Sequence, residues 1–301
     1  MSIAFRKLFC TMLYLLYVMC FGNIFLNYPI IVASKMSTTR LTDITWAHAV
    51  NSDSYLTEVL QGDINFIEAD ILMGYLLDDA DSQNEIPIMA HPPLRKSDLS
   101  LNVFLQRIYN FNSVAAEDKI KGVKLDFKSI DAFEKSVQVI HEFYDTTRYP
   151  TWINADILSG PVNNTETIPV DPTRFFKSSK QLGSVVLSIG WTTKWGKDSS
   201  VGNYSNVDVE RMINVIRSNE IDVAGYSLTF PIRAGIAACS LEELAYLYRT
   251  LKDSNDITFT IWSGVEDAVD VDKLKLVMKT IGLNKIYVDV PEILRAQLNL
   301  S

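Results

Sequence analysis

Phe66-Ile67-Glu68-Ala69-Asp70-Ile71-Leu72 is the stretch on which the reading of the chain turns. It is apolar and β-branched, which favours a strand. Alternate residues of a strand share a face, so Glu68 and Asp70 lie on one side and Ile67, Ala69 and Ile71 on the other. Two like charges on one face of a buried strand repel each other and lose hydration unless a divalent cation or a basic neighbour offsets them. The rest of the chain must fold so as to supply that partner.

Working outward, strand and helix patterns alternate. Strands are expected at 44–49, 66–72, 123–128, 152–158, 185–191, 223–230, 257–262 and 285–290. Helices are expected at 54–60, 100–109, 132–144, 173–182, 207–218, 241–251 and 271–281. The 132–144 helix shows apolar Phe133, Val137, Ile140 and Tyr144 at helical spacing. Ser240 with Glu243 three residues on reads as a capping box. A short apolar run, 86–90, leads to His91-Pro92-Pro93. Eight strands, each but the last followed by a helix, fit a single (β/α)8 TIM barrel over residues 41–301. A doubly wound sheet is the alternative, but it would favour a glycine-rich phosphate turn after the first strand, where the sequence has His48-Ala49-Val50-Asn51.

Residues 1–34 form a separate hydrophobic signal segment. Arg6 and Lys7 precede the apolar run 8–22, the pattern of a secretory signal peptide, with cleavage expected near Cys20-Phe21-Gly22 or Val32-Ala33-Ser34. Apolar character continues through Ile30-Ile31-Val32, so an uncleaved single-pass anchor with a lumenal or extracellular barrel is the alternative. The chain carries a net charge of −8, and the first 34 residues hold two of its 28 basic side chains and none of its 36 acids. The barrel region is thus the more acidic, which argues against nucleic acid as a partner. Cys10 and Cys20 fall in the leader, leaving Cys239, read as a buried small hydrophobe. Export would give meaning to two glycosylation sequons, at Asn163 and Asn203.

In a barrel, site residues gather at the C-terminal ends of strands. His48 and Asn51 stand at the first, Glu68 and Asp70 on the second, and His91 follows the short apolar run. Lys124, Asp126 and Lys128 share one face of the third strand, and Trp152, Asn154 and Asp156 one face of the fourth. Trp191 and Trp262 end the fifth and seventh, and Asp289 ends the last. Glu68, Asp70 and Asp126 offer oxygen ligands only, which suits Mg²⁺ or Ca²⁺ rather than zinc. Lys128 beside them suits a phosphate oxygen, and His48 and His91 can divide the roles of base and acid. Asn51, Lys124, Asn154, Asp156, Trp191 and Trp262 are the substrate-binding candidates. Each residue alone has a plainer reading: the lysines as structural partners of Glu68 and Asp126 with no metal, the tryptophans as barrel lining, His141 as a solvated helix residue.

The motifs His48-Ala49-Val50-Asn51, Ile67-Glu68-Ala69-Asp70, His91 and Leu125-Asp126-Phe127-Lys128 resemble the glycerophosphodiester phosphodiesterase-like superfamily, and most nearly its sphingomyelinase D branch. Longer stretches resemble the menorin family: Thr45-Trp46-Ala47-His48-Ala49-Val50-Asn51, Ile88-Met89-Ala90-His91-Pro92-Pro93, Gly122-Val123-Lys124-Leu125-Asp126-Phe127-Lys128, 152–158 and 188–193. The superfamily resemblance implies a phosphodiester small molecule or lipid headgroup as substrate. It further implies a metal on Glu68, Asp70 and Asp126, an acid–base pair of His48 and His91, and phosphate on Lys128. The sequence departs from it after the first histidine, where the usual Arg-Gly is Ala49-Val50 and the Glu-Asn-Thr that often follows is absent. The menorin resemblance implies a secreted or surface protein, such as a non-catalytic cue that binds receptor or adhesion ectodomains in dendrite or neuronal patterning.

Overall fold

The computed structural model describes residues 40–78, 84–143, 149–162 and 166–300. The leader, its two cysteines and Asn163 lie outside them. The described residues hold ten strands: β1 (Trp46–Ala47), β2 (Phe66–Leu76), β3 (Ile86–Met89), β4 (Lys96–Ser97), β5 (Gly122–Phe127), β6 (Thr151–Ser159), β7 (Val186–Thr192), β8 (Leu228–Arg233), β9 (Ile257–Trp262) and β10 (Ile286–Asp289). Eight pair in parallel in the order β1-β2-β5-β6-β7-β8-β9-β10, while β3, antiparallel, and β4, parallel, pair with the far part of β2. The main helices are α1 (Asp53–Gln61), α2 (Leu101–Val114), α3 (Ile130–Phe143), α4 (Pro172–Ser179), α5 (Asn206–Ser218), α6 (Leu241–Leu251), α7 (Val271–Ile281) and α8 (Glu292–Leu298). No helix of the described residues is long and apolar enough to cross a membrane.

The sheet curls into a nearly closed barrel. On α8, Arg295 donates to the carbonyls of Thr42 (2.8 Å) before β1 and Val288 (2.8 Å) in β10, tying the first strand to the last. Outward residues such as Ile67, Ala69, Ile71, Val123, Leu125, Ile153 and Ala155 are buried against the helices. Parallel strands covered in this way are apolar on the helix side. Phe133, Val137 and Ile140 supply the matching stripe of α3. Each such side chain taken from water contributes about 1.5–3 kcal/mol.

Inward residues follow the opposite parity and form two levels. The floor is aromatic: Trp46 lies 4.7 Å from Phe66, Phe66 4.9 Å from Trp152, and Trp152 4.8 Å from Tyr287, centroid to centroid. Gly122 completes it by absence, since a Cβ there would stand 2.5 Å from the Phe66 ring. Two residues further along the same strands the level is polar: His48, Glu68, Lys124, Asn154 and Asp289.

Several expectations are corrected. The first strand is two residues, so His48 sits on the loop beyond it. The strand expected at 223–230 is shifted to Leu228–Arg233, because Ile221–Ala224 forms a helical turn ended by Gly225 at φ 70°. The last strand does carry a helix, α8. Ser240 does not cap α6: its hydroxyl donates to the Ile236 carbonyl (2.7 Å) and accepts from Tyr204 N (2.9 Å). The capping box belongs instead to Ser205 and Asp208 at the start of α5. Cys239 is exposed in the turn before α6, not buried.

Candidate metal centre at the barrel mouth

Parallel pairing sets Asp70 of β2 directly beside Asp126 of β5, and Asp126 beside Asn154 of β6. Glu68, one inward position below Asp70, completes a group in which one oxygen from each of Glu68, Asp70 and Asp126 lies within 4.8 Å of the others. Glu68 and Asp70 are 5% and 4% exposed. That convergence of oxygen donors is the chemistry a hard divalent cation takes.

Each carboxylate is held by its surroundings. Asn51 and Asp70 bond reciprocally: Asn51 Nδ2 donates to Asp70 Oδ2 (2.8 Å), and Asp70 N donates to Asn51 Oδ1 (2.9 Å). Asn154 Nδ2 donates to Asp126 Oδ1 (2.6 Å), and its own oxygen accepts from the Ser188 hydroxyl (2.5 Å). Ala49 N donates to Glu68 Oε2 (2.8 Å). Ala49 makes this contact at φ 49°, in the left-handed region, where a non-glycine residue costs about 1–2 kcal/mol. The loop after β1 thus carries local strain while it aims an amide at the carboxylate.

Lys128 bridges the two aspartates, its Nζ 2.7 Å from Asp70 Oδ1 and 2.6 Å from Asp126 Oδ2. Burial disfavours its charge, but Asp126, Asp70 and Glu68 outweigh that and raise its pKa. Burial likewise opposes the charge of Glu68, yet the His48 hydrogen bond and the positive charges of Lys124, His48 and Lys128 draw its pKa down. Asp70 moves the other way, raised by burial and by the Glu68 charge against Lys128. Burial, together with Asp126, pushes Asp156 up to about 7 against the two lysines.

His48 is clamped between acids: Nε2 bonds Asp289, and Nδ1 lies 3.4 Å from Glu68 Oε2. Desolvation opposes protonation of this half-exposed ring, but hydrogen bonds to Asp289 and Glu68 outweigh it and raise the imidazole to about 10. Asp289 is 4% exposed, and its second oxygen is buried without a partner. Five inward carboxylates (Glu68, Asp70, Asp126, Asp156, Asp289) therefore face Lys124, Lys128 and an imidazolium. Fully ionised, these groups would carry an excess of two negative charges; with Asp156 raised to about 7 and Asp70 raised, the excess at neutral pH is smaller. The donor type and the sign of the charge fit a divalent cation.

The structure gathers the residues into two bonded groups side by side, His48 with Glu68 and Asp289, and Asn51, Asp70, Lys128, Asp126 and Asn154 in a second, with Lys124 and Asp156 acting on them electrostatically. His91 stands apart. It follows Ala90, whose N bonds the Asp70 carbonyl (3.0 Å), but its ring is exposed and its Nδ1 pairs with the Pro92 carbonyl (2.7 Å). Trp191 does not reach the mouth. Strand parity turns it outward, where it is 2% exposed against Tyr204 and Phe230. Trp262 is half-buried at the end of β9, with the Arg233 guanidinium 4.9 Å over its ring. Asn203 is exposed in the loop before α5.

Arg233 was not foreseen. It ends β8, pairs with Asp267 through two bonds (2.8 and 2.9 Å), and donates to the Trp195 carbonyl (2.9 Å), so it staples two mouth loops. A β8 drawn as ending at Phe230 hides it; the alternation Thr229-Phe230-Pro231-Ile232-Arg233 was the available signal.

The chain is similar in sequence to human Protein FAM151B, 34% identical over 264 residues that cover 86% of each chain. Among solved structures it is similar to a probable tagatose 6-phosphate kinase from Sinorhizobium meliloti, with 11% identity, a TM-score of 0.42, and coverage of 88% of this chain and 63% of that one. It is also similar to an arginine decarboxylase of Paramecium bursaria Chlorella virus, with 12% identity, a TM-score of 0.34 and the same coverages. Scores this low bear on neither fold nor chemistry. The model of the Menorin N-terminal domain matches residues 40–295, and the chain belongs to the menorin family.

Proposed function

We propose that this menorin-family chain is an exported protein on a TIM-type barrel of the phosphodiesterase-like superfamily, whose mouth binds a divalent cation and acts on a phosphodiester. The observation that carries this reading is the convergence of Glu68, Asp70 and Asp126, three oxygen donors within 4.8 Å of one another. Those three residues would hold Mg²⁺ or Ca²⁺, which when bound supplies Lewis-acid stabilisation of charge on a phosphoryl oxygen.

The histidines divide the proton work by their partners. Both nitrogens of His48 face carboxylates, which accept and do not donate, so both carry protons and the ring serves as an acid. His91, whose exposed ring stands outside the bonded groups, pairs its Nδ1 with the Pro92 carbonyl and so has Nε2 left as the atom that would accept a proton from a substrate. Asp289 orients the first ring, and Lys128 bridges the two aspartates and offsets one of their two charges. The test is turnover of glycerophosphocholine with Mg²⁺. The wild type is expected to release product, and His48→Ala with His91→Ala to lose more than about 100-fold. No turnover above buffer by the wild type on this or a lipid phosphodiester would refute the catalytic part.

One observation favours a second reading. Lys128 already satisfies Asp70 and Asp126, so the mouth is tolerable without an ion. On that reading the barrel is a non-catalytic extracellular cue that engages receptor or adhesion ectodomains. A folded His48→Ala/His91→Ala protein that keeps full activity in a dendrite-patterning assay supports it, and loss of that activity opposes it.

A further inference from the structure

The mouth contains two lysines in contrasting situations. Lys128 is spent on Asp70 and Asp126. Lys124 is only 6% exposed, and among the described residues its ammonium has no hydrogen-bond or ion-pair partner. A lysine is almost never buried this far without one, because an ammonium taken from water with nothing in return is costly. It is not among the sealed unpartnered atoms of the interior, so the ammonium itself still reaches accessible space. It springs from β5 between Glu68 of β2 and Trp152 of β6, and acts on Glu68 and Asp156 only at a distance. The Trp152 ring lies on the floor beneath. This ammonium thus keeps its donor capacity on the inward face, on the strand that carries Asp126 and in register with Glu68 of β2.

We propose that Lys124 is the anion seat of the mouth and holds a non-bridging oxygen of a phosphate ester. The proposal rests on the phosphodiester reading above and reassigns the phosphate contact from Lys128. The negative excess of the mouth repels a lone carboxylate or halide. It admits an anion that is shared between Lys124 and a cation on the neighbouring acids, and a tetrahedral phosphate has oxygens enough for both. Lys128, held by two aspartates, then offsets one of their two charges while the ion and the ester exchange.

Calorimetric titration of the wild type, Lys124→Met and Lys124→Arg tests this. The probes are Mg²⁺ alone and then, at saturating Mg²⁺, inorganic phosphate, glycerophosphocholine or phosphatidylcholine vesicles. Lys124→Met is expected to keep Mg²⁺ affinity within about threefold while anion binding weakens about tenfold or more, and Lys124→Arg to recover part of it. Binding of phosphate alone identifies a free phosphate ligand, of glycerophosphocholine a soluble diester, and of vesicles alone a lipid headgroup; each supports the proposal when Lys124→Met abolishes it. Mg²⁺ binding with anion binding unchanged in a folded Lys124→Met, or with no anion bound by the wild type, overturns the proposal and leaves the metal reading intact. Absence of Mg²⁺ binding by the wild type removes the metal reading itself, and if anions also fail to bind, both fall.

Discussion

The floor and the mouth of the barrel are built by the same strands and differ in almost every physical respect. β1 gives Trp46 to the floor and leads into His48 at the mouth; β2 gives Phe66, then Glu68 and Asp70; β6 gives Trp152, then Asn154 and Asp156; β10 gives Tyr287, then Asp289. A step of two residues along an inward face converts an aromatic plug into a charged network. The floor holds itself together by contact, ring on ring at 4.7–4.9 Å. The mouth is held by paired charges in which carboxylates outnumber their cationic partners. One end of the barrel therefore stabilises the fold, and the other spends stability on a site.

Mutations separate the two ends, with the largest effect expected at the floor. Trp152→Ala removes a buried ring packed against Trp46, Phe66 and Tyr287. It should cost about 3–5 kcal/mol in urea unfolding and leave the Mg²⁺ affinity of the folded protein near wild type. A larger change in affinity than in stability would break the distinction. Lys128→Met leaves Asp70 and Asp126 buried without their counter-ion and should cost about 3 kcal/mol in metal-free buffer. Saturating Mg²⁺ should restore much of that loss, because an ion can replace the ammonium, whereas it should restore none of the loss in Trp152→Ala. Gly122→Ala pushes a methyl into the Phe66 ring and should cost about 1–3 kcal/mol, with no metal rescue.

The smallest effect concerns His48. With EDTA present, its imidazole should stay protonated through neutral pH, because burial is outweighed by Asp289 and Glu68 and the pKa lies near 10. The unfolded value is about 6.5, so the folded pKa is raised. The stabilisation from this group is then complete below pH ~6.5 and is lost as pH rises toward 10. Imidazole shifts in an NMR titration check this, and a neutral ring at pH 7 would show that the clamp is weaker than its geometry implies.

The distinction between floor and mouth was half legible in the sequence. Alternation in 66–72, 123–128 and 152–158 assigns Glu68, Asp70, Lys124, Asp126, Asn154 and Asp156 to inward faces, because side-chain parity is local and needs no tertiary knowledge. The partners of those groups are set by strand order and register, which alternation does not reveal. Lys128 therefore reads as a phosphate ligand from its position beside Asp126 but is found spanning Asp126 and its cross-strand neighbour Asp70. The Asp289 clamp on His48 links residues 241 apart and depends on the first strand meeting the last. Trp191 misleads for a simpler reason: it stands at a strand end, but strand parity turns its ring outward, away from the mouth. Arg233 was lost to a boundary error, since the helical turn at Ile221–Ala224 has the same apolar character as the strand that follows it.

The central claim is that the acids of the mouth hold a divalent cation. Its most direct measurement is calorimetric titration of Mg²⁺ and Ca²⁺ into metal-free wild type and Asp70→Asn. One ion per chain on the wild type, with affinity reduced at least about tenfold in a folded Asp70→Asn, is the predicted result. No binding by the wild type, or equal binding by the two proteins, would contradict it.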